Sequence, residues 1–157
     1  EPPKLFLPRG IADKHHCTTN NNNAFSDSCV DIYFNTQFEN FDERVLNFWA
    51  FLNSSLIFLF RETSGRKSLG GGLLKAEATD LSDLNLYHEF NQYSKIKEIF
   101  NHFSKLEVDN VKNTLKLKEY IELDDIVINH FGIQKYADQI RKLLLKKINI
   151  RYSKSAT

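Results

Sequence analysis

An α+β fold is predicted for this chain: a mixed β-sheet with a buried helix in its N-terminal part, followed by a helical C-terminal tail. Three observations predict it. Short alternating apolar segments rich in β-formers occur early, as in Ser28 to Phe34. A stretch from Glu43 to Arg61 becomes apolar almost all round in its second half, which suits a helix packed between other elements. Beyond Asn91, apolar residues recur at three- and four-residue spacings. Regular layering of this kind, strands first and helices after, separates the chain into a mixed α/β part over residues 1–88 and a helical part over residues 89–157.

The elements follow in order. Lys4-Leu5-Phe6-Leu7 reads as a short strand, stopped by Pro8 and the turn former Gly10. Residues 12–23 are polar, and the run Asn20 to Asn23 reads as an exposed loop tip. In the next strand, Val30, Ile32 and Phe34 share one face, with Asp31 and Tyr33 on the other. Asn40 is an N-cap candidate ahead of the first-turn acids Asp42 and Glu43, and Gly65 ends the helix they begin. Leu73 to Ala78 alternates again and reads as a strand leaving a glycine turn, whereas residues 80–90 favour neither period. Three helical stripes close the chain. The first is Ile96, Ile99, Phe100 and Phe103. The second is Leu123, Ile126, Val127 and Phe131, with Gly132 as its stop, and the last is Tyr136, Ile140, Leu143, Leu144 and Ile148.

At 157 residues and 41% hydrophobic content the chain can bury a real core, and thirteen Phe, six Tyr and one Trp argue against disorder. The formal net charge of +1 carries no global excess that would imply nucleic acid. The charge is uneven, however: after Asp138 come Arg141, Lys142, Lys146, Lys147, Arg151 and Lys154 with no further acid. Lysines routinely cover solvent faces, so a solvated face opposite Leu143 and Leu144 explains this tail as well as a polyanion does. Two cysteines are too few for a disulfide framework, and no signal peptide or membrane-length apolar run is visible, so a cytoplasmic location is expected. Met is absent and the chain opens on Glu1-Pro2-Pro3, which suggests a piece of a longer protein.

Catalytic and metal constellations are thin. His15-His16-Cys17 with Cys29 supplies ligand types without metal-binding spacing, so no metal site is expected. No nucleophile elbow, phosphate-binding P-loop or dinucleotide fingerprint occurs. The chain alone is therefore expected to catalyse nothing.

One stretch does suggest binding. Half of the six glycines form the triplet Gly70-Gly71-Gly72, with Arg66 and Lys67 before it and Lys75 after. Glycines clear the backbone of side chains, and basic flanks supply charge where phosphates could approach. A plain flexible connector between two elements reads equally naturally from a glycine triplet.

Three segments resemble the C-terminal target-recognition region of adenine-N6 DNA methyltransferases of restriction–modification systems, including the fused type IIG enzymes. The first is Leu5 to Ile11 together with Phe25 to Asn35. The second is Asn53-Ser54-Ser55 through Gly70-Gly71-Gly72-Leu73-Leu74-Lys75, followed by Asp80-Leu81. The third is Asp124-Asp125, then Phe131-Gly132-Ile133, and a long helix ending Arg151-Tyr152-Ser153-Lys154-Ser155. Neither the family's cofactor glycine motif nor its Asn-Pro-Pro-Tyr motif is present, and Pro2-Pro3 is no substitute.

The resemblance implies sequence-specific binding of double-stranded DNA. It also implies a catalytic methyltransferase domain in the same or a partner chain, which would hold S-adenosylmethionine; no cofactor is assigned to these residues. The parent would be a site-specific, adenine-specific DNA-methyltransferase, with or without nuclease activity. The glycine loop would approach the duplex, with Arg66, Lys67 and Lys75 as phosphate anchors and Arg9, Lys14, His15 and His16 as candidate base readers. A protein-interaction domain that docks a subunit without touching DNA is the alternative.

Overall fold

The computed structural model describes residues 1–37, 39–66, 72–75, 79 and 90–153. Its elements are β1 (Leu5–Pro8), β2 (Gly10–Ile11), β3 (Thr18–Thr19), β4 (Cys29–Ile32), α1 (Phe41–Leu52), α2 (Ser55–Ser64) and β5 (Leu74–Lys75). There follow α3 (Tyr93–Phe103), α4 (Val111–Thr114), α5 (Lys118–His130), a 3-10 turn (Gln134–Tyr136) and α6 (Ala137–Ser153). The fold is α+β, with a helical C-terminal part. The described strands pair antiparallel throughout, in a three-stranded sheet ordered β3-β1-β4 and a two-stranded sheet of β2 and β5, where a mixed sheet was expected.

Alternation in β1 buries Leu5 and Leu7 completely. The strand does end at Pro8, which is itself part of it. This proline pairs with Cys29 as the last residue of β1, and the next amide, Arg9 N–H, donates to the Ser28 carbonyl at 3.1 Å. Pro8 is tolerated because its pair with Cys29 falls between ladder hydrogen bonds and β3 pairs only with Leu5 and Phe6, so no donor is needed at this position. In β4, Val30 and Ile32 pack with Phe34 on the core, and Tyr33 points out to solvent.

The predicted helix from Glu43 to Arg61 is two helices, α1 and α2, broken at Asn53-Ser54. Polar side chains that bond locally to the backbone compete with a continuous helix. Asn53 donates from Nδ2 to the carbonyls of Trp49 (2.9 Å) and Cys17 (3.1 Å), and its Oδ1 accepts the Cys17 N–H at 3.0 Å. Ser54 turns extended and caps α2, accepting from Ile57 N–H at 3.4 Å. The first donor of α2 is satisfied from far away: Asp124 accepts the Ser55 N–H at 2.7 Å and the Ser55 hydroxyl at 2.8 Å. Asp124 in turn accepts from Arg141 Nε at 2.7 Å, so one buried carboxylate joins α2, α5 and α6.

Asn40 does precede α1, but in a left-handed conformation and without a side-chain cap, while Asp42 and Glu43 occupy the first turn as expected. Gly132, at φ 68°, follows α5 in the left-handed position that ends many helices. In α6 the buried stripe is Ala137, Leu144, Ile148 and Arg151; Leu143, expected inside, is 42% exposed.

Residues on both sides of position 88 share one core. Leu5, Leu7, Trp49, Phe51, Ile96 and Leu123 belong to a single cluster. Trp49 meets Phe100 edge-on with centroids 5.0 Å apart. A smaller cluster of Phe58, Val111, Tyr120, Leu144 and Ile148 lies where α2 and α6 pack together. No helix among the described residues is long and apolar enough to cross a membrane.

Asp124→Ala leaves the buried Ser55 amide and hydroxyl without their acceptor and takes from Arg141 one of its two close carboxylates, leaving Asp125. A loss of about 3 kcal/mol in urea unfolding is expected, with Asp124→Asn, which keeps one acceptor, falling between it and the parent chain.

Candidate nucleic-acid interface

The neck of the glycine loop is built by backbone pairing. Arg66 and Lys75 exchange both hydrogen bonds of an antiparallel bridge, at 2.9 and 3.0 Å, and Lys75 also lies opposite Gly10 of β2. Residues directly opposite in an antiparallel pair project to one face. The two shoulders of the loop therefore stand side by side, next to a position that has no side chain. Arg66 is exposed, and Lys75 and the nearby Arg9 are half-buried. The residues at this edge thus include three of the cations expected to face DNA. Lys67, Gly70 and Gly71 lie outside the described residues.

Gly72 does not fit the expected role. It is buried, at φ 72°, and its carbonyl accepts from Arg151 Nη1. A left-handed φ is open to glycine at little cost, so the reason for glycine here is a turn closed against the fold and not an approach to a ligand.

His15 is also corrected. It is 3% exposed, its ring lies 5.0 Å from that of Phe58, and its Nε2 meets Glu62 Oε1 at 2.8 Å. A base reader must reach solvent, and this imidazole is enclosed by packing. Burial pushes its pKa down from 6.5 to about 4, against the upward pull of the Glu62 bond and with help from the Arg61 charge. The ring is therefore neutral at pH 7, and it donates through Nε2–H to an ionised carboxylate. His16 is half-buried, with Nδ1 3.2 Å from the Lys14 carbonyl, and burial lowers its pKa too. Lys14 is exposed, and close enough to Asp109 to help hold that carboxylate low, after the bonds from Asn110 and Asn113. Its charge is thus shared with an acid.

Sequence reasoning missed the centre of this region. Glu62, fully buried, accepts from Arg151 Nε at 3.0 Å, from Arg151 Nη2 at 2.7 Å and from His15. Arg151 also donates to the carbonyl of Ala12 at 2.5 Å, besides that of Gly72. Burial works to raise the Glu62 pKa, but the bonds from His15 and Arg151 prevail and hold it below 4.5. Beside it, Arg61 is 1% exposed and donates to the Pro8 carbonyl; burial pushes its pKa down to about 10. The signal was present: Leu144, Ile148 and Arg151 are spaced four and three apart, which places the arginine on the apolar stripe. Counting it with the basic tail concealed that. Arg141 likewise is committed, to Asp124 and to Asp125 at 2.5 Å, so the exposed cations of the described part of that tail are Lys142 and Lys146, with Lys147 half-buried.

No family model, curated protein or solved structure matches this chain.

The buried network sets a pH dependence. His15 has a folded pKa below its unfolded value, so the unfolded chain takes up the proton first as pH falls. Stability is full above pH 6.5, declines between about 6.5 and about 4 by on the order of 3 kcal/mol, and then levels for this group. Glu62, also depressed, adds a loss below pH 4.5. Urea midpoints across pH 4 to 8 check this, and His15→Gln, which cannot titrate, should flatten the portion between pH 5 and 6.5.

Proposed function

We propose that the chain recognises double-stranded DNA in a sequence-specific manner, as the target-recognition part of a site-specific adenine-N6 DNA methyltransferase of a restriction–modification system. The observation that carries this reading is the bridge between Arg66 and Lys75, which sets two cations side by side at the neck of the glycine loop, with Gly10 opposite. Such a pair is suited to two neighbouring phosphates, and phosphate contacts fix register on a duplex. Arg9, Lys14 and His16 are kept for the base-reading role; buried His15 is withdrawn from it, and Gly72 from the close approach to the duplex. The catalytic domain, with its S-adenosylmethionine, belongs to the rest of the parent or to a partner chain. It would extrude the adenine while this part grips the duplex.

The three quoted segments meet in the fold. Asn53 holds Cys17, which lies between the two stretches of the first segment, Ser55 holds Asp124 of the third, and Arg151 holds Gly72 of the second.

Subunit docking without DNA remains the second reading, favoured by one feature: Tyr136, Leu143 and Ile150 are each exposed at seven-residue spacing along the C-terminal region. Retention on duplex DNA across a salt series separates the two. Binding should weaken linearly in log–log form, and Arg66→Ala with Lys67→Ala and Lys75→Ala should reduce the slope by about 2 to 3. An unchanged slope would count against these anchors, and no retention on duplex DNA at any salt would favour docking.

A further inference from the structure

The side of α6 turned away from the core carries a row of apolar side chains. Tyr136, at the end of the 3-10 turn, and Leu143 and Ile150 on α6 are 43, 42 and 39% exposed. Seven residues make almost two helical turns, a rise of about 10.5 Å, so the three stand nearly in line. Exposed apolar residues scattered singly need no explanation, whereas three in line along most of a helix form a seam. Ile140, half-buried, widens it between Tyr136 and Leu143.

The charge beside this seam has one sign. Lys146 and Lys147 are the three- and four-residue neighbours of both Leu143 and Ile150, so they stand on either side of the row. Lys142 lies one turn before Lys146, and Lys135 sits over the Tyr136 ring, 4.9 Å from its centroid. From residue 135 to the C-terminus the sequence has a single acid, Asp138, which lies 3.7 Å from Arg141. The arginines of α6 are engaged inside the fold, Arg141 by Asp124 and Asp125 and Arg151 by Glu62. Lys142, Lys146 and Lys147 make no ion pair with a described residue.

We propose that the outer face of α6 docks an acidic amphipathic helix of a partner protein. The partner's apolar residues would lie along Tyr136, Leu143 and Ile150, and its flanking Asp or Glu would meet Lys142, Lys146 and Lys147. Charges beside an apolar seam select the partner of opposite sign. A second copy of this chain would set lysine against lysine. A nucleic-acid backbone would use the lysines and leave the apolar row in water. A helix lying on a lipid surface presents an apolar face about 100° wide or more, and this seam is one to two side chains wide between lysines. The inference gives the docking seam a partner chemistry and rests on that seam alone, so a chain that binds DNA can dock a helix here as well.

The probe is a synthetic 21-residue peptide of three heptads, with Leu at the first and fourth positions of each and Glu at the fifth and seventh. Glu–Glu repulsion opposes its pairing with itself. A second peptide carries Lys in place of every Glu. Titrated into the 157-residue chain, the Glu peptide should bind saturably and shift the NMR amide signals of residues 139–150, with the Lys peptide about tenfold weaker or worse. Lys142→Glu with Lys146→Glu should reverse that preference. Leu143→Ser with Ile150→Ser should weaken the Glu peptide about tenfold or more. These positions are exposed save their packed edges, so the thermal midpoint should stay nearly unchanged. No saturable shift, equal affinity for the two peptides, or an unreversed preference in the charge-swapped variant would each overturn the proposal. So would tighter binding to phosphatidylserine vesicles, a smaller salt slope for duplex DNA in Lys142→Glu with Lys146→Glu, or a dimer of the chain that Leu143→Ser dissolves.

Discussion

A single buried carboxylate, Glu62, is what the rest of this structure is arranged around. Removing an ion from water costs several kcal/mol even after relaxation, so it persists only where partners are in place. Glu62 has them: a two-nitrogen grip from Arg151 and an imidazole N–H from His15. Arg151 spends its remaining donors on the carbonyls of Ala12 and Gly72. Four parts of the chain, the 12–15 turn, α2, the inner end of the glycine loop and the last turn of α6, are thereby held in one geometry. Guanidinium suits this use because its planar fork of donors serves a carboxylate and two carbonyls at once.

The second carboxylate, Asp124, works on the same plan a few turns away. It caps α2 from outside and neutralises Arg141, so the axis of α2 is fixed at both ends by charge, Asp124 at Ser55 and Glu62 at Arg151. Apolar packing between α2 and α6 fills the space between, through Phe58, Leu144 and Ile148. Packing supplies most of the driving force, while the two polar ends specify the register in which the helices meet.

How much could be foreseen follows from what each feature leaves in the residue order. The α+β class was legible, since periods of two and of about 3.6 are properties of contiguous residues. The break at Asn53-Ser54 was not, because the apolar pattern runs straight across it. What ends α1 is a set of bonds to Cys17 and Asp124, 36 and 69 residues away. Arg66, Lys67 and Lys75 were legible as cations flanking the glycines, yet only the bridge places Arg66 and Lys75 side by side. His15 looked like a loop histidine among polar neighbours. Its burial depends on Phe58 and Glu62, which no local pattern announces. Gly72 was correctly seen as conformationally special, but the direction it faces is set by Arg151, 79 residues further on.

That last separation bears on how the protein is made. Glu62 leaves the ribosome 89 residues ahead of the arginine that matches it, and at about 5–20 residues per second this is a gap of roughly 5 to 20 s. During synthesis the nascent α2 must keep that acid hydrated, so the helix cannot settle into its final packing until α6 emerges. Chaperones that shelter unfinished chains would find the apolar side of α2 open for the whole interval.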